Sequence, residues 1–196
     1  MRNHNDILLV RHAHTAQSGP DARTWSLSPR GRTEAARLAQ WTGWRDVQVI
    51  VTSAEAKAIE TAAAITMAHP HVTTLPPVEA LGEVDRRGVF VSDYEGAVAA
   101  FLAQPGASPH GWEPAAHGLA RFVTAMEETI TAYPATSVAV VAHGLILTLY
   151  LSTLIGGSPA DIAHWQMIPF ASIARVARRE DGAYALTHPF LIPVSG

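Results

Sequence analysis

The sequence predicts an α/β fold, a three-layer α/β/α sandwich around a mostly parallel central sheet. Two short aliphatic runs carry this prediction, Ile7–Val10 and Val138–Ala142. Continuous apolar runs of this length are typical of parallel strands that are buried on both faces. Helical patterns follow both runs, and strands that alternate with helices favour a parallel sheet covered on its two sides. At 196 residues, the whole chain, 1–196, is expected to form a single domain.

The composition argues against several classes of protein. The formal net charge is −3, whereas a protein that binds nucleic acid or an acidic membrane surface generally needs a basic face. The chain has no cysteine, which excludes disulfides, thiolate zinc sites and cysteine nucleophiles. We therefore expect a cytoplasmic protein with neither a nucleic-acid partner nor a membrane partner.

One apolar stretch, Val138 to Ile155, approaches the length of about 20 residues that a membrane-spanning helix needs. It is interrupted by His143-Gly144 and by several hydroxyl residues. Its first part is rich in β-branched residues and its second part has leucines at helical spacing. This order predicts a strand, a turn and then a buried helix.

Turn and capping residues delimit the elements that follow the first strand. Ser28-Pro29 predicts a helix start, with serine as the N-cap and proline at the first helical position. Val47–Val51 predicts the second strand. The next helix is expected to begin with a capping box, in which Thr52 is the cap and Glu55 bonds back to its backbone, and to extend to about Met67.

The second half of the chain predicts fewer well-defined elements. His71–Leu75 favours a third short strand, Tyr94–Leu102 a short helix, and Ile168–Pro189 one or two strands. Glu113-Pro114 begins the clearest amphipathic helix. Its predicted apolar face is formed by Leu119, Phe122, Val123, Met126 and Ile130.

Residues that can bind a ligand or take part in catalysis follow both aliphatic runs. Arg11 and His12 come directly after the first run, and His143 follows the second. Because ligands in open α/β sheets collect beyond the carboxyl ends of the strands, we expect these side chains at one site. Arginine offers a forked, permanently charged donor set that suits phosphate oxygens. A neutral imidazole can serve as a nucleophile.

Five segments, in order along the chain, resemble motifs of the histidine phosphatase superfamily, which has the phosphoglycerate mutase-like fold. The first is similar to the Arg-His-Gly-x-Thr motif, the third to Ser-Ser-x-x-x-Arg-Ala-x-x-Thr-Ala, and the last to the second histidine motif. The segments are Val10–Thr15, Leu27–Gly31, Thr52–Ala62, Leu81–Glu83 and Val140–Gly144. The resemblance therefore covers nearly the whole chain.

The resemblance implies a role for each matched residue. His12 would be the nucleophile that carries the phosphoryl group as phosphohistidine. Glu83 would be the general acid that protonates the leaving oxygen and then the base that activates water. A cationic His143, with the backbone amides of the helix that follows it, would neutralise charge on the phosphate. The residues implied in phosphate binding are Arg11, Lys57, His143 and Thr15.

Three positions leave alternatives open. Lys57 stands where the family has arginine, so the phosphate contact becomes a point charge on a flexible stem. This change predicts either weaker phosphate binding or a pocket shaped for another substrate. Asp85 is the alternative to Glu83 as the acid. Ala13 replaces the family's glycine, which adds only a methyl group.

The function that the resemblance implies is a metal-independent phosphomonoester hydrolase that acts on a small phosphorylated substrate without a cofactor. Phosphoglycerate mutase-type phosphoryl transfer and a non-catalytic phosphate-binding module are the alternatives. The mutases' Glu-Arg-x-Tyr-Gly run is absent, and Glu83–Gly88 stands in its place. A metal-binding pair at His12 and His14 would be typical of a (β/α)₈ barrel. Such a barrel needs about 250 residues, so the length of this chain argues against a metal site. The sequence names neither the substrate nor the oligomeric state.

Overall fold

The computed structural model describes residues 6–89, 91–155, 159–179 and 181–193. Within these ranges, one sheet of six strands forms the centre of the molecule. The strands are β1 (Ile7–Arg11), β2 (Val49–Thr52), β3 (Thr73–Thr74), β4 (Val138–Ala142), β5 (Ile173–Arg178) and β6 (Tyr184–Leu191). Their spatial order is β3-β2-β4-β1-β5-β6. The pairs β3/β2, β2/β4 and β4/β1 are parallel, and β1/β5 and β5/β6 are antiparallel.

Helices cover both faces of this sheet. The α-helices in the described ranges are α1 (Pro29–Ala39), α2 (Ala56–Ala68), α3 (Tyr94–Ala103), α4 (Ala115–Ala132), α5 (Gly144–Leu154) and α6 (Ile162–Gln166). Side chains of β1 alternate between the two faces, as the period of a strand requires. Leu8 and Val10 pack with α1 and α2, whereas Ile7 and Leu9 pack with α3, α4 and α5. The predicted three-layer sandwich is therefore confirmed.

The predicted start of α1 is confirmed together with its cap. Ser28 is the N-cap, its Oγ accepts a hydrogen bond from the backbone N–H of Gly31 at 2.9 Å, and Pro29 is the first helical residue. The backbone N–H of Ser28 donates to the carbonyl oxygen of His14 at 3.0 Å. This bond ties the helix start to the segment that follows β1.

The predicted capping box at the start of α2 is wrong. Thr52 is the last residue of β2, where it pairs with Val141 of β4, and the next backbone N–H, of Ser53, donates to the Val141 carbonyl oxygen at 3.1 Å. The chain therefore stays extended past Thr52, and α2 begins only at Ala56. Glu55 occupies the N-cap position without a side-chain cap bond. Its carboxylate lies in the site described below.

The remaining elements follow the predictions with shifted bounds. β2 begins at Val49 rather than Val47, and β3 contains only Thr73–Thr74 of the predicted His71–Leu75. All five predicted apolar residues of α4 contact the core on the face of the sheet that α3, α4 and α5 cover. The C-terminal segment forms the antiparallel hairpin β5–β6. The short helix α6, capped by the Asp161 side chain, was not predicted.

The apolar stretch from Val138 to Ile155 is divided between β4 and α5, as predicted. Among the residues that the structure describes, no helix is long and apolar enough to cross a membrane.

A glycine in α1 permits the close approach of that helix to the segment after β1. A Cβ atom on Gly31 would lie 1.8 Å from the carbonyl oxygen of His14. We expect Gly31→Ala to lower the free energy of unfolding by about 1–3 kcal/mol, because the helix start must move away from that carbonyl. Urea denaturation measures this change. Gly106→Ala is the matched control, since no atom lies within 4 Å of its Cβ position; equal losses in the two variants would contradict the explanation.

Candidate active site

The two imidazoles that follow the buried strands lie side by side. β1 and β4 are neighbours with Arg11 opposite Ala142, so the next residue of each strand, His12 and His143, emerges at the same edge of the sheet. The two ring centroids are 5.0 Å apart. His12 is 5% exposed and His143 is fully buried. The predicted meeting of these residues at the sheet edge is what the structure shows.

The environment of His12 leaves one ring nitrogen with a free lone pair. Its Nδ1 lies 2.7 Å from the carbonyl oxygen of Ala13. Because a carbonyl oxygen can only accept, Nδ1 carries the proton and Nε2 carries the lone pair. Burial lowers the pKa of His12 well below its ordinary value, and nearby His143, Arg11 and Lys57 lower it further. The ring is therefore neutral at pH 7.

His143 is contacted by two residues of the segment that precedes α2. Its Nε2 lies 2.7 Å from Ser53 Oγ and 3.3 Å from Glu55 Oε1. Its Nδ1 is buried and has no hydrogen-bond partner among the described residues. Burial lowers the pKa of His143 well below its ordinary value, and the charges of Lys57 and Arg11 act in the same direction. The cationic form expected from the sequence is therefore disfavoured.

Arg11 is fixed between an aromatic ring and the start of α5. Its guanidinium carbon lies 4.1 Å from the centroid of the Phe170 ring, and Nη1 donates to the carbonyl oxygen of Ile168. A Cβ atom on Gly144 would lie 3.0 Å from that guanidinium carbon. Only a glycine leaves α5 this close to Arg11. The charge is therefore held in place at the edge of the sheet.

Glu83 caps helix α5. Its carboxylate accepts hydrogen bonds from the backbone N–H groups of Leu145, at 3.0 Å, and Ile146, at 2.9 Å. These amides were expected to face phosphate, so that part of the prediction is wrong: a side chain of the protein already occupies them. Burial raises the pKa of Glu83, the hydrogen bond from the Leu145 N–H opposes this shift, and the charge of Glu55 adds to it.

Asp85, the alternative acid, has a different environment. It is exposed, and its carboxylate accepts a hydrogen bond from the backbone N–H of Arg87 at 2.8 Å. Both Asp85 and Glu83 line the cleft described below. Of the two, only Glu83 lies against the helix start that follows His143.

Lys57 is neither a solvated helix residue nor an isolated cation. Its side chain is 6% exposed, and Nζ donates to the carbonyl oxygen of Ala22 at 2.6 Å and to the carboxylate of Glu55. Glu55 Oε1 also accepts a hydrogen bond from the backbone N–H of Glu83 at 2.7 Å. Glu55 was not predicted as a site residue, because its spacing from Thr52 indicates a helix cap. The sequence signal for an unusual partner of Lys57 was its own identity, since the motif has arginine at this position.

Thr15 and His14 differ in their relation to the site. Thr15 lines the cleft, but its side chain makes no hydrogen bond within the described residues, and its backbone forms a bridge with Leu27. His14 is directed towards α1, where its Nδ1 lies 2.8 Å from Ser28 Oγ. In the ranges that the structure describes, no group of three or more histidine and carboxylate side chains is placed to hold a metal ion.

A cleft of about 1060 Å³ opens above these residues. Five of the predicted site residues line it, and His143 lies behind them. The five are Arg11, His12, Thr15, Lys57 and Glu83. Other arginine and aromatic side chains also line the cleft, and the Arg86 guanidinium carbon lies 5.3 Å from the centroid of the Tyr94 ring.

A family model, the histidine phosphatase superfamily (branch 1), matches residues 7–189. The chain belongs to this superfamily. It is a phosphatase of the histidine phosphatase type. No curated protein sequence matches the chain.

Solved structures share the fold of this histidine phosphatase. A mycobacterial glucosyl-3-phosphoglycerate phosphatase superposes with a TM-score of 0.75 at 22% identity, over 94% of this chain and 97% of that chain. A putative α-ribazole-5'-P phosphatase from Escherichia coli K-12 gives 0.72 at 19% identity, over 96% and 97%. The putative phosphohistidine phosphatase SixA from Agrobacterium tumefaciens gives 0.61 at 17%, over 96% and 98%. At these identities the likeness shows the fold alone.

A further residue of this histidine phosphatase, Arg121 on α4, holds the segment that carries Glu83. Its Nη1 donates to the carbonyl oxygens of Ala80, at 2.7 Å, and Gly82, at 3.1 Å. Its Nη2 donates to the carbonyl oxygen of Glu83 at 3.2 Å and to the carboxylate of Glu113 at 2.8 Å. The sequence analysis missed Arg121 because only the fold brings α4 to this segment.

We expect Arg121→Met to loosen the Glu83 segment. Loss of hydrogen bonds from a charged group should lower the free energy of unfolding by about 1.5–3 kcal/mol. Hydrogen exchange at the Leu145 and Ile146 amides, which Glu83 covers, should become faster. The control is Arg37→Met, which removes an exposed arginine from the last turn of α1. Unchanged exchange at both amides would show that other contacts hold Glu83.

Proposed function

We propose that this phosphatase is a metal-independent phosphomonoester hydrolase that acts on a small phosphorylated substrate through a phosphohistidine at His12. The observation that carries the proposal is the state of His12. It is a neutral imidazole with its proton held on Nδ1 by the Ala13 carbonyl, and it lines a cleft beside Arg11 and Lys57. The lone pair on Nε2 is the nucleophile that a covalent mechanism requires.

In the first step, His12 Nε2 attacks phosphorus in line and the bond from phosphorus to the leaving oxygen breaks. Glu83, protonated, gives its proton to that oxygen, which leaves as a neutral hydroxyl compound. Burial supports this role, because it raises the pKa of Glu83 and so favours the protonated form. Arg11 supplies fixed positive charge to the phosphoryl oxygens.

In the second step, the Glu83 carboxylate takes a proton from water while the water oxygen attacks phosphorus. The bond between phosphorus and nitrogen breaks, inorganic phosphate is released, and His12 returns to its neutral form. In this proposal His143 donates to the phosphoryl group from Nδ1, which requires that this nitrogen carry the proton of the neutral ring and that Ser53 Oγ donate to Nε2. Thr15, which lines the cleft, contributes its hydroxyl. Arg11 and Lys57 supply the positive charge for the phosphate in this proposal, which assigns no step to a metal ion.

The volume of the cleft, about 1060 Å³, supports a substrate larger than phosphate itself. Its lining includes further arginine and aromatic side chains, among them Arg86 and Tyr94. Among the structural relatives, the mycobacterial glucosyl-3-phosphoglycerate phosphatase is known in complex with inorganic phosphate. This supports a small phosphorylated compound as the substrate class. The proposed location is the cytoplasm, which a chain without cysteine suits.

The test of the nucleophile is brief incubation with a ³²P-labelled phosphoester, followed by alkaline denaturation. We expect an acid-labile phosphohistidine in the native protein and none in His12→Ala, with the hydrolysis rate unchanged by chelator. His117→Ala, which removes an exposed histidine of α4, is the control and should retain the label. Hydrolysis at the native rate by His12→Ala would refute the assignment. Transfer of the label to a second hydroxyl substrate rather than to water would indicate the mutase-type reaction.

The assignment of the acid predicts a pH profile. kcat/KM requires neutral His12 and protonated Glu83, so it should rise as pH passes the lowered pKa of His12 and fall as pH passes the raised pKa of Glu83. With an alkyl phosphate, Glu83→Gln should lose about 10²–10⁴-fold in rate and lose the alkaline fall. Asp85→Asn is the matched control. If only Asp85→Asn loses rate on this poor leaving group, Asp85 is the acid.

A further inference from the structure

A carboxylate lies among the cations of the phosphate pocket. The side chains of Glu55 and Lys57 are 8% and 6% exposed and form an ion pair. Glu55 Oε1 lies 3.3 Å from His143 Nε2 and accepts a hydrogen bond from the backbone N–H of Glu83 at 2.7 Å. Glu55 and Lys57 both line the cleft. The proposed mechanism has no role for this carboxylate.

The position of Glu55 changes the charge that a phosphate meets. Of the two cations to which the proposed function assigns phosphate binding, Arg11 has no carboxylate partner among the described residues, whereas Lys57 already has one. Two of the three ammonium hydrogens of Lys57 are directed to Ala22 and Glu55, which leaves one for a ligand. An incoming phosphate must therefore share Lys57 with a negative group that also repels it.

We propose that Glu55 is a built-in counter-charge of this pocket, acting through Lys57 to weaken the binding of phosphate and so to ease release of the product. The proposal rests on the proposed function of the cleft as a phosphoryl site and adds to it a residue that sets phosphate affinity. Glu55 is a positioning residue in this role, because it acts by holding the Lys57 charge.

The physical reason lies in the energetics of buried ion pairs. Removal of one partner leaves an uncompensated buried charge, which is strongly unfavourable. Without the Glu55 carboxylate, the free protein would contain that unpaired Lys57, whereas the phosphate complex would not, since the bound anion takes the place of the carboxylate. A ligand that relieves an unfavourable state of the free protein binds more tightly by the same free energy.

The experiment is titration calorimetry with inorganic phosphate on the native protein and on Glu55→Gln, which keeps the size of the side chain and removes its charge. We expect the dissociation constant for phosphate to fall about tenfold or more in Glu55→Gln. The inhibition constant of phosphate as a product should fall by the same factor. The gain should disappear in the double variant Glu55→Gln/Lys57→Met, because the pocket then lacks the unpaired cation. Should Glu55→Gln not fold, Glu55→Asn is the equivalent neutral variant.

Two controls separate charge from other effects. Glu128→Gln removes an exposed carboxylate of α4 and should leave phosphate binding unchanged. Glu55→Asp keeps the charge and should stay within about threefold of the native affinity. Weaker or unchanged phosphate binding in Glu55→Gln would overturn the proposal and assign Glu55 a purely structural role. Equal tightening in Glu55→Asp and Glu55→Gln would also overturn it.

The outcome is independent of the trapping experiment on His12. Calorimetry with inorganic phosphate measures binding without turnover. If Glu55→Gln binds phosphate more tightly but the native protein forms no phosphohistidine, the proposal about Glu55 stands and the proposed catalytic function is refuted. A labelled His12 together with unchanged phosphate affinity in Glu55→Gln would do the reverse.

Discussion

The parallel pairing of β1 with β4 is the constraint on which the site depends. The backbone N–H of His12 continues the ladder by donating to the Ala142 carbonyl oxygen at 3.0 Å. This places His12 beside His143, although the two residues come from opposite halves of the chain. Leu9 and Val140, in the middle of these strands, are fully buried. Only the ends of the strands can therefore present polar side chains to a ligand, and both ends present an imidazole.

Burial then acts on the two proposed catalytic groups in a complementary way. Removal from water disfavours the charged form of any group, so it lowers the pKa of a histidine and raises that of a carboxylic acid. At His12 this yields the neutral ring that a nucleophile must be, and at Glu83 it favours the proton that an acid must donate. One physical cause thus prepares both partners of the proposed first step. The hydrogen bonds from Leu145 and Ile146 fix the position of Glu83, and the bond from Leu145 also limits the rise of its pKa.

Features with a local cause could be predicted from the sequence, and features with a tertiary cause could not. The Ser28 cap and the two strand ends followed from neighbouring residues alone. The position of Glu55 could not be predicted in this way. The local sequence indicates a capping box, but the pairing of Thr52 with Val141 of β4 prevents that cap from forming. Which of Glu83 and Asp85 lies against α5 could not be predicted either, because packing determines it.

The capping of α5 by Glu83 has a consequence for how phosphate is held. A free helix start would offer its amides and its partial positive charge to an anion, but two of these amides already bond to Glu83. In the proposed mechanism, the attraction for phosphate therefore comes mainly from the side-chain cations Arg11 and Lys57. Most substitutions leave a backbone amide in place, whereas a single substitution can add or remove a side-chain charge. Pairing of Lys57 with Glu55 is therefore a direct means by which this sequence sets the strength of its phosphate site.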